Sequence, residues 1–374
     1  MLDGVISLFV PNLAGGGAER VMVNLANGLV ARGHRVEIVL LEKVGSYFSD
    51  LDQRVSVVGL MATSVRGGIV PLVRHLRRRK PAVLLSALDY ANAGALLAAG
   101  FSRTATPVVV TVHSTHSRAA AYATGLHEAL VRRIVRWVYP RADAVVAVSR
   151  GAADDMMAGI RLDPTRVHVI YNPVITSRLS ALASEPLDHP WFGPGQPPVV
   201  MGMGRLTEAK DFPTLLRAAA IASMELDFRL LILGEGDRRA DLEQMVAELD
   251  LNDRVAMPGF VTNPFAYLAR SALFVLSSAW EALPTVLIEA LALGLPVVST
   301  DCLSGPAEIL AAGRYGRLVP VGNPEALAGA IVEALRSPRP VIPEEVIEAY
   351  TVDSSVRQYE DLIVRVAKVK EKGR

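Results

Sequence analysis

The chain has 374 residues, too many for one ordinary core; domains run to about 100–200 residues, so two is the natural count. Hydrophobic residues make up 51% and charged residues 21%, which excludes a disordered chain. Cys302 is the only cysteine, so no intramolecular disulfide can form, and no uncharged apolar run reaches the roughly 18–20 residues of a membrane span.

Short apolar β-rich runs alternate with longer stretches of helical period. Residues 5–10 read as a strand, and residues 17–32 as a helix with an apolar stripe at Val21, Leu25, Gly28 and Leu29, stopped by Gly33. Further strands are expected at 35–41, 55–60, 82–86, 108–112, 144–148 and 167–170. The run 81–101 is the nearest to a membrane span, but Asp89 and Asn92 interrupt it, and it reads as a buried strand followed by a buried helix. Apolar runs that are continuous rather than alternating mean strands buried on both faces, the mark of a parallel sheet flanked by helices. Residues 171–198, rich in Pro, Gly, Ser and Asp, break the pattern and read as an interdomain hinge with one short helix. The alternation then restarts, with strands expected at 199–203, 228–233, 254–257, 272–276, 296–299 and 316–319. Helices are expected between them at 212–223, 238–249 and 284–293, and at 323–336 and 352–370 after them. Two doubly wound domains follow each other, and ligands of such sheets sit at the carboxyl ends of the strands.

The net charge of +1 hides an asymmetry: residues 1–172 hold 20 Lys/Arg and 12 Asp/Glu, residues 173–374 hold 19 and 26. Either the first half meets an anionic partner or solvated charge is segregated without one. Arg74, Arg77, Arg78, Arg79 and Lys80 cluster, and Arg132, Arg133 and Arg136 lie near Trp137 and Tyr139 on an expected amphipathic helix. Such a surface suits an anionic membrane face, or is simply two solvated helix faces. The segment Met1-Leu2-Asp3-Gly4 has no basic region, so no signal peptide is expected and a cytoplasmic location is, at most against the inner face of the cell membrane.

Four motifs carry chemistry. Gly15-Gly16-Gly17-Ala18-Glu19-Arg20 opens the first helix, where free amides favour a phosphate; it is not G-x-G-x-x-G, and a plain strand–helix turn is the alternative. Gly204-Arg205-Leu206-Thr207-Glu208-Ala209-Lys210 follows the first strand of the second half and offers two cations to one diphosphate, unless it is a surface loop of scattered charge. Glu281-Ala282-Leu283-Pro284-Thr285-Val286-Leu287-Ile288-Glu289 places Pro284 at the first helical position, with Glu281 in the loop before the helix and Glu289 on its second turn. The amides of Thr285 and Val286 then point at an anion, and Glu289, in an apolar stretch, needs a partner: a ribose diol or a nearby Arg. The run from Ser299 to Glu308 is another strand-end loop, in which Cys302 reads as a small buried residue and not a nucleophile. His113, at the end of strand 108–112, can bond a sugar hydroxyl or a backbone carbonyl. His116 beside it lacks a third ligand, and Asp50-Leu51-Asp52 lies far along the chain from the two cations, so no metal is called for.

Together these residues resemble the retaining glycosyltransferase family 4, which has the GT-B architecture. The resemblance rests on Gly15 to Val21, on Gly204-Arg205-Leu206 with Lys210, on Glu281 and Glu289, the family's E-x7-E pair, and on 291–298 with Gly294 and Pro296. Ala282 departs from the usual glycine. The resemblance implies two Rossmann-like domains facing across a cleft: an acceptor-side domain, 1–172, on which the C-terminal helix 353–370 packs back, and a nucleotide-sugar-binding domain, 173–352. It implies transfer of a hexose or N-acetylhexosamine, with retention of configuration, from a nucleoside-diphosphate sugar, a UDP-sugar above all, to a lipid-linked or oligosaccharide acceptor in polysaccharide biosynthesis. No cofactor and no nucleic-acid partner are implied. Arg205 and Lys210 would neutralise the departing diphosphate, Glu281 would contact the donor sugar and Glu289 the ribose, and the backbone near Phe260 and Val261 would hold the base. Gly15, Gly16 and Gly17 would approach the phosphates, and His113 the sugar. The alternatives are a GT-B sugar-nucleotide epimerase and a non-catalytic sugar-nucleotide-binding protein.

Overall fold

The computed structural model describes residues 2–14, 16–115 and 133–372 and divides into two compact units. One holds the residues up to Val174 together with those from Ala349 onward; the other runs from Ile175 to Glu348.

The first unit is built on a seven-stranded parallel sheet: β1 Val5–Val10, β2 Arg35–Leu40, β3 Ser56–Gly59, β4 Val83–Ala87, β5 Val108–Val112, β6 Ala144–Ala147 and β7 Val167–Val169. Their spatial order is β3-β2-β1-β4-β5-β6-β7, so the direction of winding reverses between β1 and β4. Every residue of β1, β4, β5 and β6 is buried, as continuous apolar runs on a doubly covered sheet require. One face packs on the helices Gly17–Ala31 and Val352–Lys372, the other on Val65–Arg79, Asp89–Ser102 and Arg150–Gly159. Gly28 is what lets the first two helices meet: a Cβ there would lie 2.4 Å from Val356 Cγ2. Glu360 of the C-terminal helix receives Arg32 Nε at 2.5 Å and faces His34 Nε2 at 2.7 Å, and the Val174 amide donates to the Tyr350 carbonyl at 3.0 Å.

The second unit repeats the plan on six parallel strands: β8 Val199–Met203, β9 Arg229–Leu233, β10 Val255–Gly259, β11 Leu273–Leu276, β12 Val297–Thr300 and β13 Arg317–Val319. Their order is β10-β9-β8-β11-β12-β13, with the reversal between β8 and β11. The helices Phe212–Ala222 and Pro324–Arg336 bury Leu215, Leu216, Leu327 and Ile331 on one face of this sheet. Among the described residues, four helices missing from the sequence reading are present: Val65–Arg79, Arg150–Gly159, Pro264–Arg270 and Glu344–Glu348. No described helix is long and apolar enough to cross a membrane.

Candidate active site

In the second unit the loops after β8, β10, β11 and β12 carry Arg205 and Lys210, Val261, Glu281 and Cys302 respectively, and these strands lie in one parallel sheet. All five therefore stand with the strands' carboxyl ends, where β-strand backbone stops and side chains are free to turn to a ligand. The loops approach very closely. Gly234 has φ +137°, and a Cβ there would lie 2.0 Å from the Gly204 carbonyl oxygen, so no larger residue fits. The Leu206 amide donates to the Glu235 carbonyl at 2.9 Å, and the Ala279 amide to the Ala209 carbonyl at 2.8 Å.

Lys210 and Glu281, 71 positions apart in the chain, form an ion pair through Lys210 Nζ and Glu281 Oε1. Their side chains keep only 20% and 12% of their exposure, so the pair is shielded but reachable. Arg205 differs. Its side chain is exposed and its guanidinium meets no partner among the described residues. Among the described residues the site thus holds one cation already balanced and one without a partner.

Hydroxyls fix the loop that carries Glu281, and sequence reasoning assigned none of them a role. Ser278 Oγ donates to Glu281 Oε1 at 2.7 Å, and Ser277 Oγ donates to the Lys210 carbonyl at 2.8 Å. Thr300 Oγ1 donates to the Ser278 carbonyl at 2.6 Å, and Ser304 Oγ to the carbonyls of Glu281 and Ala282 at 2.9 and 3.1 Å. The signal was available: four hydroxyl residues at the ends of two adjacent apolar strands, where buried loop carbonyls need donors. Cys302 is buried beside the pair, and its thiol is pushed up to about 12, first by burial and then by the Glu281 charge, with Lys210 opposing; it carries no thiolate at neutral pH.

The helix expected from Pro284 runs Thr285–Ala292, and Pro284 is its N-cap in extended backbone (φ −72°, ψ 99°) instead of its first helical residue. The Leu287 amide donates to the Pro284 carbonyl at 3.1 Å, and the amides of Thr285 and Val286 stand before it at the open end. Glu289 lies on the second turn, 9% exposed. Val261 is half-buried and follows Phe260, whose ring is 74% exposed.

The first unit presents a different edge. Gly16 caps the helix Gly17–Ala31 with no side-chain bond, and the Glu19 carboxylate folds back over it, 2.2 Å from where a Cβ would stand. Gly17 meets nothing within 4 Å of that position. Gly15, His116 and Arg132 lie outside the described residues. At the end of β5, Thr111 Oγ1 donates to the Ser86 carbonyl at 3.0 Å and lies 2.9 Å from His113 Nε2. A hydroxyl has one proton, so the imidazole is the donor in the second bond and its Nδ1 carries the lone pair. Burial holds His113 down at about 4, so the ring is neutral at pH 7. Asp89 accepts from Ser114 Oγ at 2.9 Å and Tyr139 Oη at 3.0 Å, and Asn92 braces the Thr111 carbonyl at 2.8 Å. In the Asp-x-Asp sequence, Asp52 is taken by Arg54 at 2.7 and 2.9 Å, and no group of three His, Cys, Asp or Glu suited to a metal occurs among the described residues.

The sequence model described as Glycosyltransferase Family 4 matches residues 15–178, and that described as Glycosyl transferases group 1 matches residues 187–350. The lipopolysaccharide core biosynthesis glycosyltransferase LpsE of Rhizobium meliloti is 31% identical, over 84% of this chain and 84% of its own. The chain belongs to glycosyltransferase family 4. The N-acetylgalactosamine-N,N'-diacetylbacillosaminyl-diphospho-undecaprenol 4-alpha-N-acetylgalactosaminyltransferase of Campylobacter jejuni is 27% identical, over 86% of this chain and 87% of its own. Among solved structures, Anabaena HepE in complex with UDP-glucose superposes with a TM-score of 0.73 at 20% identity, covering 99% of both chains. The fold is therefore GT-B, with two Rossmann-like units, and the protein is a glycosyltransferase.

Proposed function

We propose that this glycosyltransferase takes a hexose or N-acetylhexosamine from a UDP-sugar and adds it, with retention of configuration, to a lipid-linked sugar acceptor. The observation that carries the reading is the exposed Arg205, without a partner among the described residues, on the same loop as Lys210 of the Lys210–Glu281 pair. The charge that develops in such a transfer lies mainly on the departing diphosphate. Arg205, Lys210 and the amides of Thr285 and Val286 supply fixed positive charge to it, which is the largest catalytic contribution available here. Glu281 accepts from the donor sugar's hydroxyls and Glu289 from the ribose, while the Val261 backbone meets the base. The unit 175–348 is the donor-binding one in this reading, and the other receives the acceptor. There Gly15, Gly16 and Gly17 approach phosphate, and His113, through Nδ1, accepts from a sugar hydroxyl. The relatives support the choice of substrates: one carries diphospho-undecaprenol in its name, and HepE was solved with UDP-glucose.

The acceptor's lipid calls for a membrane contact. Residues 53–142 contain thirteen Lys or Arg and two Asp or Glu. On the helix Val65–Arg79, Arg66, Val70, Arg74 and Arg78 follow one another at four-residue spacing, all exposed. Arg77 grips the Phe101 carbonyl at 3.0 Å, which sets Phe101, 61% exposed, beside that stripe. Exposed arginines around apolar side chains suit the inner, anionic face of a membrane.

The test is release of UDP from a panel of UDP-sugars, with and without a polyprenyl-diphosphate sugar. Acceptor-dependent release is expected. A protein that binds UDP-sugars and releases nothing under either condition removes the proposal and leaves a binding protein.

A further inference from the structure

The consecutive residues Ser277 and Ser278 hold the two partners of the ion pair from opposite ends. Ser277 fixes Lys210 by its carbonyl, and Ser278 fixes Glu281 by its carboxylate. Ser278 is fully buried and its own carbonyl is held by Thr300, so the hydroxyl has a set position. Glu281 Oε1 therefore receives two donors, Lys210 Nζ and Ser278 Oγ. A carboxylate oxygen has two lone pairs, and both are used. Glu281 Oε2 accepts no hydrogen bond from a described residue. The loop cannot swing to redistribute these bonds, because Ser304 holds the carbonyls of Glu281 and Ala282.

An ammonium is a point charge with no preferred fork, and left alone it can sit between both oxygens of a carboxylate. The Ser278 hydroxyl removes that symmetry. We infer that Ser278 is a positioning residue for the donor sugar: it commits Glu281 Oε1 to the protein and leaves Oε2 to accept from a sugar hydroxyl. This rests on Glu281 being the donor-sugar contact. Ser278 itself touches no substrate, and its effect passes through the orientation of one carboxylate. It has no reason to alter binding of the nucleotide alone.

That separation gives the test. UDP, UDP-glucose and UDP-N-acetylgalactosamine are titrated by calorimetry against the full chain, and UDP release is followed with the sugar nucleotide that turns over best. Ser278→Ala is expected to keep the UDP dissociation constant within about twofold. It is expected to lose about tenfold in preference for the sugar nucleotide over UDP, or in kcat/KM, the size of one hydrogen bond to a charged group. Ser278→Thr, which restores the hydroxyl, should recover most of that loss. Because a threonine methyl in a buried place can disturb folding, the second arm is a double-mutant cycle with Glu281→Gln. If Ser278 acts through Glu281, Ser278→Ala changes little more than twofold once Glu281 is gone. A loss that persists at tenfold in the Glu281→Gln background, or that falls equally on UDP and its sugars, overturns the inference. A folded Glu281→Gln protein with unchanged sugar preference and turnover removes the reading of Glu281 itself, and this inference with it.

Discussion

At the carboxyl edge of the second sheet an ammonium, a guanidinium and a carboxylate gather in loops that are pinned by four hydroxyls. At the carboxyl edge of the first sheet stand Gly16, a neutral His113 and an aspartate already enclosed by Ser114 and Tyr139. The two units share one plan of parallel strands, so the contrast comes from the loops alone. In the proposed reading, fixed charge serves the leaving diphosphate and neutral acceptors serve hydroxyl groups. The first unit keeps its excess cations elsewhere, on the outward face of the helix Val65–Arg79. Net charge by halves shows that cations are abundant in the first half; their positions show that five of them, Arg66, Arg74, Arg77, Arg78 and Arg79, lie exposed on that one helix.

The largest effect should come from the charged edge. Arg205→Ala removes a cation that has no partner among the described residues, and is expected to lower kcat by about a hundredfold, roughly 3 kcal/mol, with the melting temperature unchanged. Steady-state UDP release and a melting curve check both parts. Near-parental turnover would mean that the charged edge is not where the reaction occurs. Next comes the outward face of the other unit. Reversing Arg74 and Arg78 to Glu should weaken binding to phosphatidylglycerol vesicles at low salt by more than tenfold, at about 1 kcal/mol per charge. Co-sedimentation measures it; equal binding by the parent and the reversed protein would leave that stripe merely solvated. A packing change should be smaller. Gly28→Val drives side-chain atoms into Val356 and is expected to destabilise its unit by about 1–3 kcal/mol while leaving turnover per folded molecule intact.

The parallel sheets were legible because strands buried on both faces need continuous apolar runs, and such runs are hard to mistake. The helix Val65–Arg79 was hidden. Gly67, Gly68 and Pro71 all argue against a helix, yet Ser64 caps it at Gly67 and Gly68 admits Leu41, whose Cδ2 lies 2.3 Å from where a Cβ would stand. Tertiary packing outweighed local propensity. At the site, Arg205, Lys210 and Glu281 stood out because charges at strand ends are few. That Lys210 would be paired with Glu281 was not legible, since 71 residues separate them and only the adjacency of β8 and β11 brings them together. Ser304 was hidden for a different reason: a serine's role depends on which carbonyl or carboxylate it reaches, and the Glu281 and Ala282 carbonyls lie 23 and 22 positions away.

The smallest expected effect concerns the neutral edge and is read from pH. In the folded protein His113 titrates at about 4, below its ordinary 6.5, because burial disfavours the imidazolium. Between those values the unfolded chain takes a proton that the folded chain refuses, so stability falls as the solution is acidified from pH 6.5 toward 4. His168 and His189 are lowered too, both first by burial, and add the same sign. Glu37 and Glu360 are lowered from 4.5 despite burial, through bonds to His75 and His34, and they give up their stabilisation only below that value. The interval from pH 5 to 6.5 therefore belongs to the histidines. His113→Gln keeps a donor for Thr111 and cannot titrate. Its melting temperature should fall less steeply than the parent's across that interval and run parallel to it above pH 7. If the two curves keep the same slope from 6.5 to 5, the imidazole is being protonated in the folded protein. Its Nδ1 would then be a donor, and the neutral acceptor that sets the first unit's edge apart from the second would be lost.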